Sequence, residues 1–501
     1  MAYLSEDKIS SIVQRVVSRL GAVEGTSPMR TAPAPVSPPY GCGPRERPRG
    51  AETPVRAPSA TLRSPNLGRG VFADIDAAMA AARQAFVALS AAGLDTRRRV
   101  IAAMRQEARR HVEAVSKMAV EETGLGRVDQ KIIKNRLVID KTPGPEILEP
   151  WAHSGDDGLT LEEYAPFGVI AAITPTTNPT ETILCNSIGM LAAGNSVVFN
   201  AHPSAKKVSA YIVQVLNEAI VRAGGPENLI CCTAEPTVAL AQELMRHPGA
   251  RLLVVTGGPG VVQEAMRSGK KVIAAGPGNP PVVVDETANL EQAADGIVKG
   301  VSLDNNIVCT AEKEIIAVAG IADRLKLLLV QHGAYELKAD EVARLEKVVV
   351  QDNHANKRWV GKDAAVILRE IGVRVPPTTL MAFAEVPEHH PFVQLELLMP
   401  VTGLVRVLDA REGIATAVRC EHANGHTAAM YSRNIEHLHR MACAINTSIF
   451  TKNAPTYAGL GLGGEGYTSF TIASPTGEGM TTARHFSRRR RCTLKEYFRI
   501  V

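Results

Sequence analysis

An α/β fold of parallel strand–helix units is predicted for this 501-residue chain by three observations. Short apolar runs alternate with longer amphipathic ones at a spacing that suits βαβ units, with ligand sites at the strand C-terminal ends. Hydrophobic residues make up 45% and charged residues 21%, the balance of a globular protein with a sizeable core. Aromatics are only 4%, and Ala, Gly and Val carry much of the apolar fraction, which favours close helix–sheet packing over an aromatic-rich β-sandwich. On a prior of roughly 100–200 residues per domain, the length suggests about three domains.

The elements follow in chain order. Ile9, Ile12, Val13, Val16 and Leu20 recur every three or four residues and predict one apolar helix face over residues 1–20. Ser5 can cap this helix, Glu6 and Asp7 suit its N-terminal dipole, and Gly21 can end it. Asp7, Lys8, Arg15 and Arg19 interrupt every apolar stretch, so it is not a secretory signal. Residues 21–68 hold ten of the chain's 31 prolines and are expected to be an extended or disordered tether. A helix held on such a tether reads as a docking element for another protein. From Val71 onward, helices are expected over 74–89, 96–123, 180–193 and 204–223, with strands at 168–173, 196–200 and 251–256. A second α/β block begins near Val282–Val284.

Charge and hydropathy exclude two classes of function. The formal charge is +5, but residues 484–501 carry seven basic groups against Glu496, a local +6 that leaves the rest at 5 − 6 = −1. The body therefore lacks the basic footprint of a nucleic-acid binder, and the Arg488–Arg491 run reads as a solvated or subunit-contacting tail. No apolar run approaches the ~18–20 residues that span a bilayer, so a membrane protein is excluded too. The eight cysteines show neither CxxC pairs nor zinc-ligand spacing, so free thiols in a reducing compartment and no metal are expected.

Four segments that follow apolar runs can carry chemistry. Ile173-Thr174-Pro175-Thr176-Thr177-Asn178-Pro179 fixes a side-chain amide on a rigid turn, where it can donate to a developing oxyanion. An Asn-Pro pair also commonly just starts a helix. Thr256-Gly257-Gly258-Pro259-Gly260 and Ala275-Gly276-Pro277-Gly278-Asn279-Pro280 allow close backbone approach to a nucleotide, although neither is a GxGxxG fingerprint. Asp304-Asn305-Asn306-Ile307-Val308-Cys309-Thr310-Ala311-Glu312-Lys313 places one cysteine in a polar loop whose amides can favour a thiolate. Cys185, Cys231, Cys232, Cys420 and Cys443 sit in apolar or helical contexts that read as inert core thiols.

The order of these segments, followed by Glu396-Leu397-Leu398-Met399-Pro400-Val401, resembles the aldehyde dehydrogenase superfamily. More narrowly it is similar to the CoA-acylating propionaldehyde and acetaldehyde dehydrogenases of bacterial microcompartments. The resemblance runs from about Val71 to the C-terminus and includes the stretches 187–199 and 451–471. The N-terminal helix and tether also match that branch, whose members use such helices as encapsulation peptides that bind shell proteins. The resemblance implies an aldehyde dehydrogenase-like α/β fold. Its nucleotide-binding domain would be 69–149 with 167–283, its catalytic domain 284–475, and its oligomerisation arm 150–166 with 476–501. Homodimers or dimers of dimers in a cytoplasmic microcompartment lumen are implied as well.

Carried over residue by residue, Cys309 is the nucleophile, and Asn178 with the Cys309 backbone N–H forms the oxyanion hole. Ile173, Thr174, Pro175 and Thr176 line the cofactor cleft, Thr256, Gly257 and Gly258 lie under the NAD pyrophosphate, Gly276 faces the nicotinamide and Glu396 holds its ribose. Two departures are informative. Hydrolytic members carry a water-activating glutamate where this chain reads Ala274-Ala275-Gly276-Pro277, so an acyl-Cys309 thioester is expected to await a thiol, coenzyme A. The lysine that contacts the adenosine ribose is replaced, with His202 the nearest match, which favours NAD over NADP. Propionaldehyde is the favoured substrate, with acetaldehyde or hydrolysis to the free acid as alternatives. His389 and His390, before Glu396, read as loop histidines by default, with a catalytic imidazole as the alternative.

Overall fold

A computed structural model describes residues 67–500. The expected helix over 1–20 and nearly all of the tether lie outside the described residues, while Leu67 already packs against the main core.

Strand Val169–Ile173 has no polar alternation and is buried along its whole length, as a central parallel strand must be. It pairs in parallel with Ser196–Asn200 on one side and Ala250–Thr256 on the other. Beyond Ser196–Asn200 come Ile230–Thr233 and then Val71–Phe72, and beyond Ala250–Thr256 comes Val272–Ala275. The chain thus winds outward in one direction from Val169 to Thr233 and in the other from Ala250 to Ala275. The reversal falls between Val169–Ile173 and Ala250–Thr256, where a crevice opens outside the strand C-termini. Thr174–Asn178 and Gly257–Gly258 are the segments that emerge there.

The helices flanking this sheet form where expected, with ends displaced by a residue or two. Ile75–Ala91 starts at Asp74, whose Oδ1 accepts from the Ala77 N–H at 2.7 Å. Leu94–Thr123 ends at Gly124, whose φ of 68° only glycine adopts without strain. Pro179–Ala192 is buried at every position. An unanticipated helix, Val128–Lys141, buries Lys131, Lys134 and Asn135 alongside Leu137, Val138 and Ile139.

A second parallel sheet runs Ala334–Glu336, Met381–Glu385, Val401–Val407, Glu314–Val318, Pro281–Val284, Thr427–Tyr431, Ile449–Lys452. Pro281–Val284 lies wholly within it, so the sheets divide between Ala275 and Pro281, a few residues before the expected 283/284 boundary. The segments that enter this sheet's strands, 276–280, 303–313 and 396–400, face the crevice of the first sheet.

A third, antiparallel sheet joins Trp151–Gly155, Gly158–Pro166 and Ser487–Lys495. Here the Arg488–Arg491 run is strand, and Arg491 donates to Glu162 through Nε at 2.8 Å. Among the described residues no helix is long and apolar enough to cross a membrane.

Candidate active site

The crevice is a cleft of about 410 Å³ lined from both parallel sheets. Cys309, Asn178, Pro175, Thr176, His202, Thr256, Gly257, Gly258, Gly276 and Glu396 all line it. Ile173 and Thr174 do not: they are buried, and the Thr174 N–H donates to the Asn200 carbonyl at 3.3 Å, closing the strand end beneath the cleft. Ile307, Val308, Leu460 and Phe470 give the cleft an apolar wall beside Cys309.

The Cys309 loop has an unusual backbone. Asp304, Asn305 and Asn306 are consecutive non-glycine residues with φ of 47°, 55° and 65°, the left-handed region that Asp and Asn tolerate best. Side-chain bonds compensate for the strain. Asp304 Oδ1 accepts from the Arg127 N–H at 2.7 Å, and Asn305 Nδ2 donates to the Gly361 carbonyl at 3.0 Å and to Asp363 at 2.9 Å. Asn306 Nδ2 donates to the carbonyls of Val301 and Glu312 at 2.8 and 3.0 Å. Lys313 Nζ reaches back to Asn306 Oδ1 at 2.6 Å. Glu312 is turned away, accepting from the Thr456 N–H and hydroxyl at 2.9 Å each.

The loop's own backbone N–H favours a thiolate, as expected, but its surroundings outweigh that contribution. Burial pushes the Cys309 thiol up to about 12 and the Glu396 carboxylate adds to the shift, against Lys313, the thiol's own backbone N–H and Lys134. Burial also raises Cys232 and Cys420 to about 12, so ionisation does not single out Cys309. Its place in the cleft does. Cys443, expected in the core, is exposed beside His439.

Asn178 heads the helix Pro179–Ala192, yet its side chain makes no capping hydrogen bond. The amide is therefore not spent on starting the helix. Its Oδ1 accepts instead from Lys134 Nζ, and its Nδ2 lies 3.3 Å from the Thr177 hydroxyl.

The residues present fit a dinucleotide. Gly258 is the N-cap of helix Pro259–Met266, and a Cβ there would project into open space, leaving the helix N-terminus free to receive a pyrophosphate. Gly276 abuts Pro475, whose Cγ would lie 2.9 Å from an added Cβ. Glu396 is held by the Gly278 N–H at 3.4 Å, and burial raises its pKa against the opposing charge of Lys313. His202 Nδ1 is occupied by the Ser204 N–H at 3.1 Å, and burial first, then nearby Lys357, lowers its pKa. Lys357 lines the same cleft and its charge reaches His202, so a cation from a distant part of the chain stands near position 202.

Of the two alanines that stand where a glutamate was sought, Ala275 lines the cleft, whereas Ala274 is fully buried. Three residues at or behind the cleft had no sequence signal: Lys134, Lys357 and His426. His426 is buried beside Gly278, with Nδ1 bonded to the Thr427 hydroxyl at 2.8 Å and Nε2 without a partner. Burial lowers its pKa to about 4 and the charge of Lys313 adds to this, so its imidazole is neutral at physiological pH. His389 and His390 do not line the cleft, and His390 caps Pro391–Gln394 through its Nδ1. Among the described residues, Asp285, Glu286 and His437 form the one cluster with metal-ligand spacing. Both Asp285 oxygens are already occupied by Thr287, Ser432 and His437.

Nucleotide cleft, cysteine loop and amide turn together define an enzyme of the aldehyde dehydrogenase class. The chain belongs to the aldehyde dehydrogenase family, whose model matches residues 49–474. Within the family it is 50% identical over 439 residues to the acetylating acetaldehyde dehydrogenase EutE of Salmonella typhimurium, an alignment covering 86% of this chain and 94% of that one. A structure of Rhodopseudomonas palustris propionaldehyde dehydrogenase with bound CoA and an acylated cysteine is 51% identical, with a TM-score of 0.84 over 85% of this chain and 98% of that one. A propionaldehyde dehydrogenase from the Clostridium phytofermentans fucose utilisation bacterial microcompartment is 46% identical, with a TM-score of 0.85 over 86% of this chain and all of that one.

Proposed function

We propose that this protein is a CoA-acylating aldehyde dehydrogenase that converts a short-chain aldehyde, a nicotinamide dinucleotide and CoA to acyl-CoA. The observation that carries this reading is one cleft holding Cys309, Asn178 and a dinucleotide cradle, with Ala275 and no carboxylate lining it from the stretch 274–277.

Cys309 loses its proton and its sulfur attacks the aldehyde carbonyl. The Asn178 amide and the Cys309 backbone N–H donate to the oxyanion of the resulting thiohemiacetal, the group whose charge develops in the transition state. When bound, the dinucleotide would supply the hydride acceptor, and Glu396, which lines the cleft, would hold its nicotinamide ribose. Collapse of the oxyanion with loss of hydride leaves an acyl thioester on Cys309. With no carboxylate at position 275 to activate water, the thioester persists until the CoA thiol attacks, gives up its proton and expels the Cys309 thiolate. The balance is aldehyde, oxidised dinucleotide and CoA in; acyl-CoA, reduced dinucleotide and one proton out.

Propionaldehyde and acetaldehyde both suit the apolar wall of Ile307, Val308, Leu460 and Phe470. Propionaldehyde is the proposed first substrate, and the 50% identity to an acetylating relative keeps acetaldehyde as the second. The three-stranded sheet of 151–166 and 487–495 is the proposed arm for a homodimer or dimer of dimers. Residues 1–20 are the proposed contact to a microcompartment shell protein, and deleting them should abolish encapsulation but not turnover. Cys309→Ala tests the core of the proposal: NADH formation should vanish while NAD still binds, and retained turnover would refute the assignment.

A further inference from the structure

Four ionisable side chains are buried together behind the amide turn. Lys131 and Lys134, from helix Val128–Lys141, meet Asp304 and Glu181, and all four side chains are 0–2% exposed. Lys134 Nζ lies 2.5 Å from Asp304 Oδ2 and 3.1 Å from Glu181 Oε1. Lys131 Nζ donates to the same Asp304 oxygen at 3.1 Å and to the Thr177 carbonyl at 3.0 Å. Two positive and two negative groups balance. Burial works against the charge on Lys134, but the two carboxylates outweigh it and hold the ammonium above the usual lysine range.

The remaining donor capacity of Lys134 goes to Asn178 Oδ1. An ammonium has three donors and no acceptor, so the amide atom facing it must be the oxygen. That fixes the flip of the Asn178 amide: Nδ2 gives one N–H to the Thr177 hydroxyl at 3.3 Å and keeps its second for the cleft. Without Lys134, either end of the amide could turn toward the cleft, and a carbonyl oxygen presented to an oxyanion repels it.

We propose that Lys134 is a positioning residue that locks Asn178 with its N–H toward the oxyanion, anchored to the Cys309 loop through Asp304. This rests on the reading of Asn178 as oxyanion donor. Acylation is measured as the single-turnover burst of NADH, in a double-mutant cycle of Lys134→Met and Asn178→Ala. Lys134→Met/Glu181→Gln, which keeps the network neutral, is the companion should the single variant fail to fold.

Loss of one oxyanion-hole donor typically slows the chemical step about 10²–10³-fold. Asn178→Ala should fall in this range, and Lys134→Met should slow the burst at least about tenfold while leaving NAD affinity within about twofold. In the Asn178→Ala background, Lys134→Met should cost less than about twofold. An equal cost in both backgrounds would show Lys134 to be merely structural and overturn the proposal, as would a wild-type burst in Lys134→Met. A wild-type burst in Asn178→Ala would instead overturn the oxyanion reading beneath it.

Discussion

The protonation state of Cys309 decides when chemistry can begin, and its surroundings in the cleft hold the thiol protonated. Burial, reinforced by the facing Glu396 carboxylate, pushes the thiol up to about 12 in the free cleft. At pH 8 such a thiol is ionised in about one molecule in 10⁴, against about one in four for an exposed cysteine of pKa ~8.5. Alkylation by iodoacetamide requires the thiolate. Followed by mass spectrometry of the Cys309 peptide, it should run about 10³-fold slower than for an exposed thiol. The rate should climb about tenfold per pH unit from 7 to 10 without levelling off. Glu396→Gln removes the facing negative charge and should shift the profile to lower pH. Saturating NAD should do the same, because the oxidised nicotinamide adds a positive charge and engages Glu396. A plateau below pH 9 in the free enzyme, together with an unmoved profile in Glu396→Gln, would refute the assignment of burial and Glu396 as the cause.

Three further expectations concern other parts of the site. Ala275→Glu adds a second carboxylate to the cleft, in the stretch where hydrolytic relatives carry theirs, and should open a water route. CoA-independent NADH turnover should rise by about 10²-fold, the low end for a general base, and no increase would separate position 275 from water activation. Lys357→Ala should raise the KM for CoA or NADP about three- to tenfold, as for an exposed charge on phosphate, and that for NAD less than twofold; equal effects on NAD and NADP would place no phosphate beside it. Burial raises Glu312 to about 7, with the Thr456 bonds opposing the shift, above its unfolded value of ~4.3. The stability that this neutral carboxyl contributes is fully present below pH ~4.3 and is lost as pH rises through about 7. Thermal melts from pH 5 to 8 should therefore be flatter in Glu312→Gln than in the parent, and parallel curves would contradict the burial argument.

Much of the fold was legible because its main signals are local. Val169–Ile173 is an uninterrupted apolar run and Asp74 stands directly before an amphipathic one, so strand and helix could be placed with no knowledge of their neighbours. Asn178, Gly258 and Cys309 were legible as motifs; the strand reversal between Ile173 and Ala250 brings the first two together, and Cys309 reaches the same cleft from the segment before Glu314–Val318 of the second sheet. The helix Val128–Lys141 was not legible. Its lysines point inward, against the rule that charged residues mark the solvent face, and only Asp304 and Glu181, far away in sequence, make that burial tolerable. Lys357 lines the cleft and His426 is buried beside Gly278, both from loops outside the motifs, where no spacing marks them. The amide contribution to the Cys309 thiolate was visible in sequence, whereas the burial and the facing carboxylate that outweigh it were not.

NADH formation from propionaldehyde and NAD, measured with and without CoA, tests the central claim most directly. Steady turnover only in the presence of CoA, after at most one equivalent of NADH per Cys309 in its absence, is the result expected of a thioester waiting for a thiol. Equal steady turnover without CoA would mean that water deacylates Cys309 and would contradict the account.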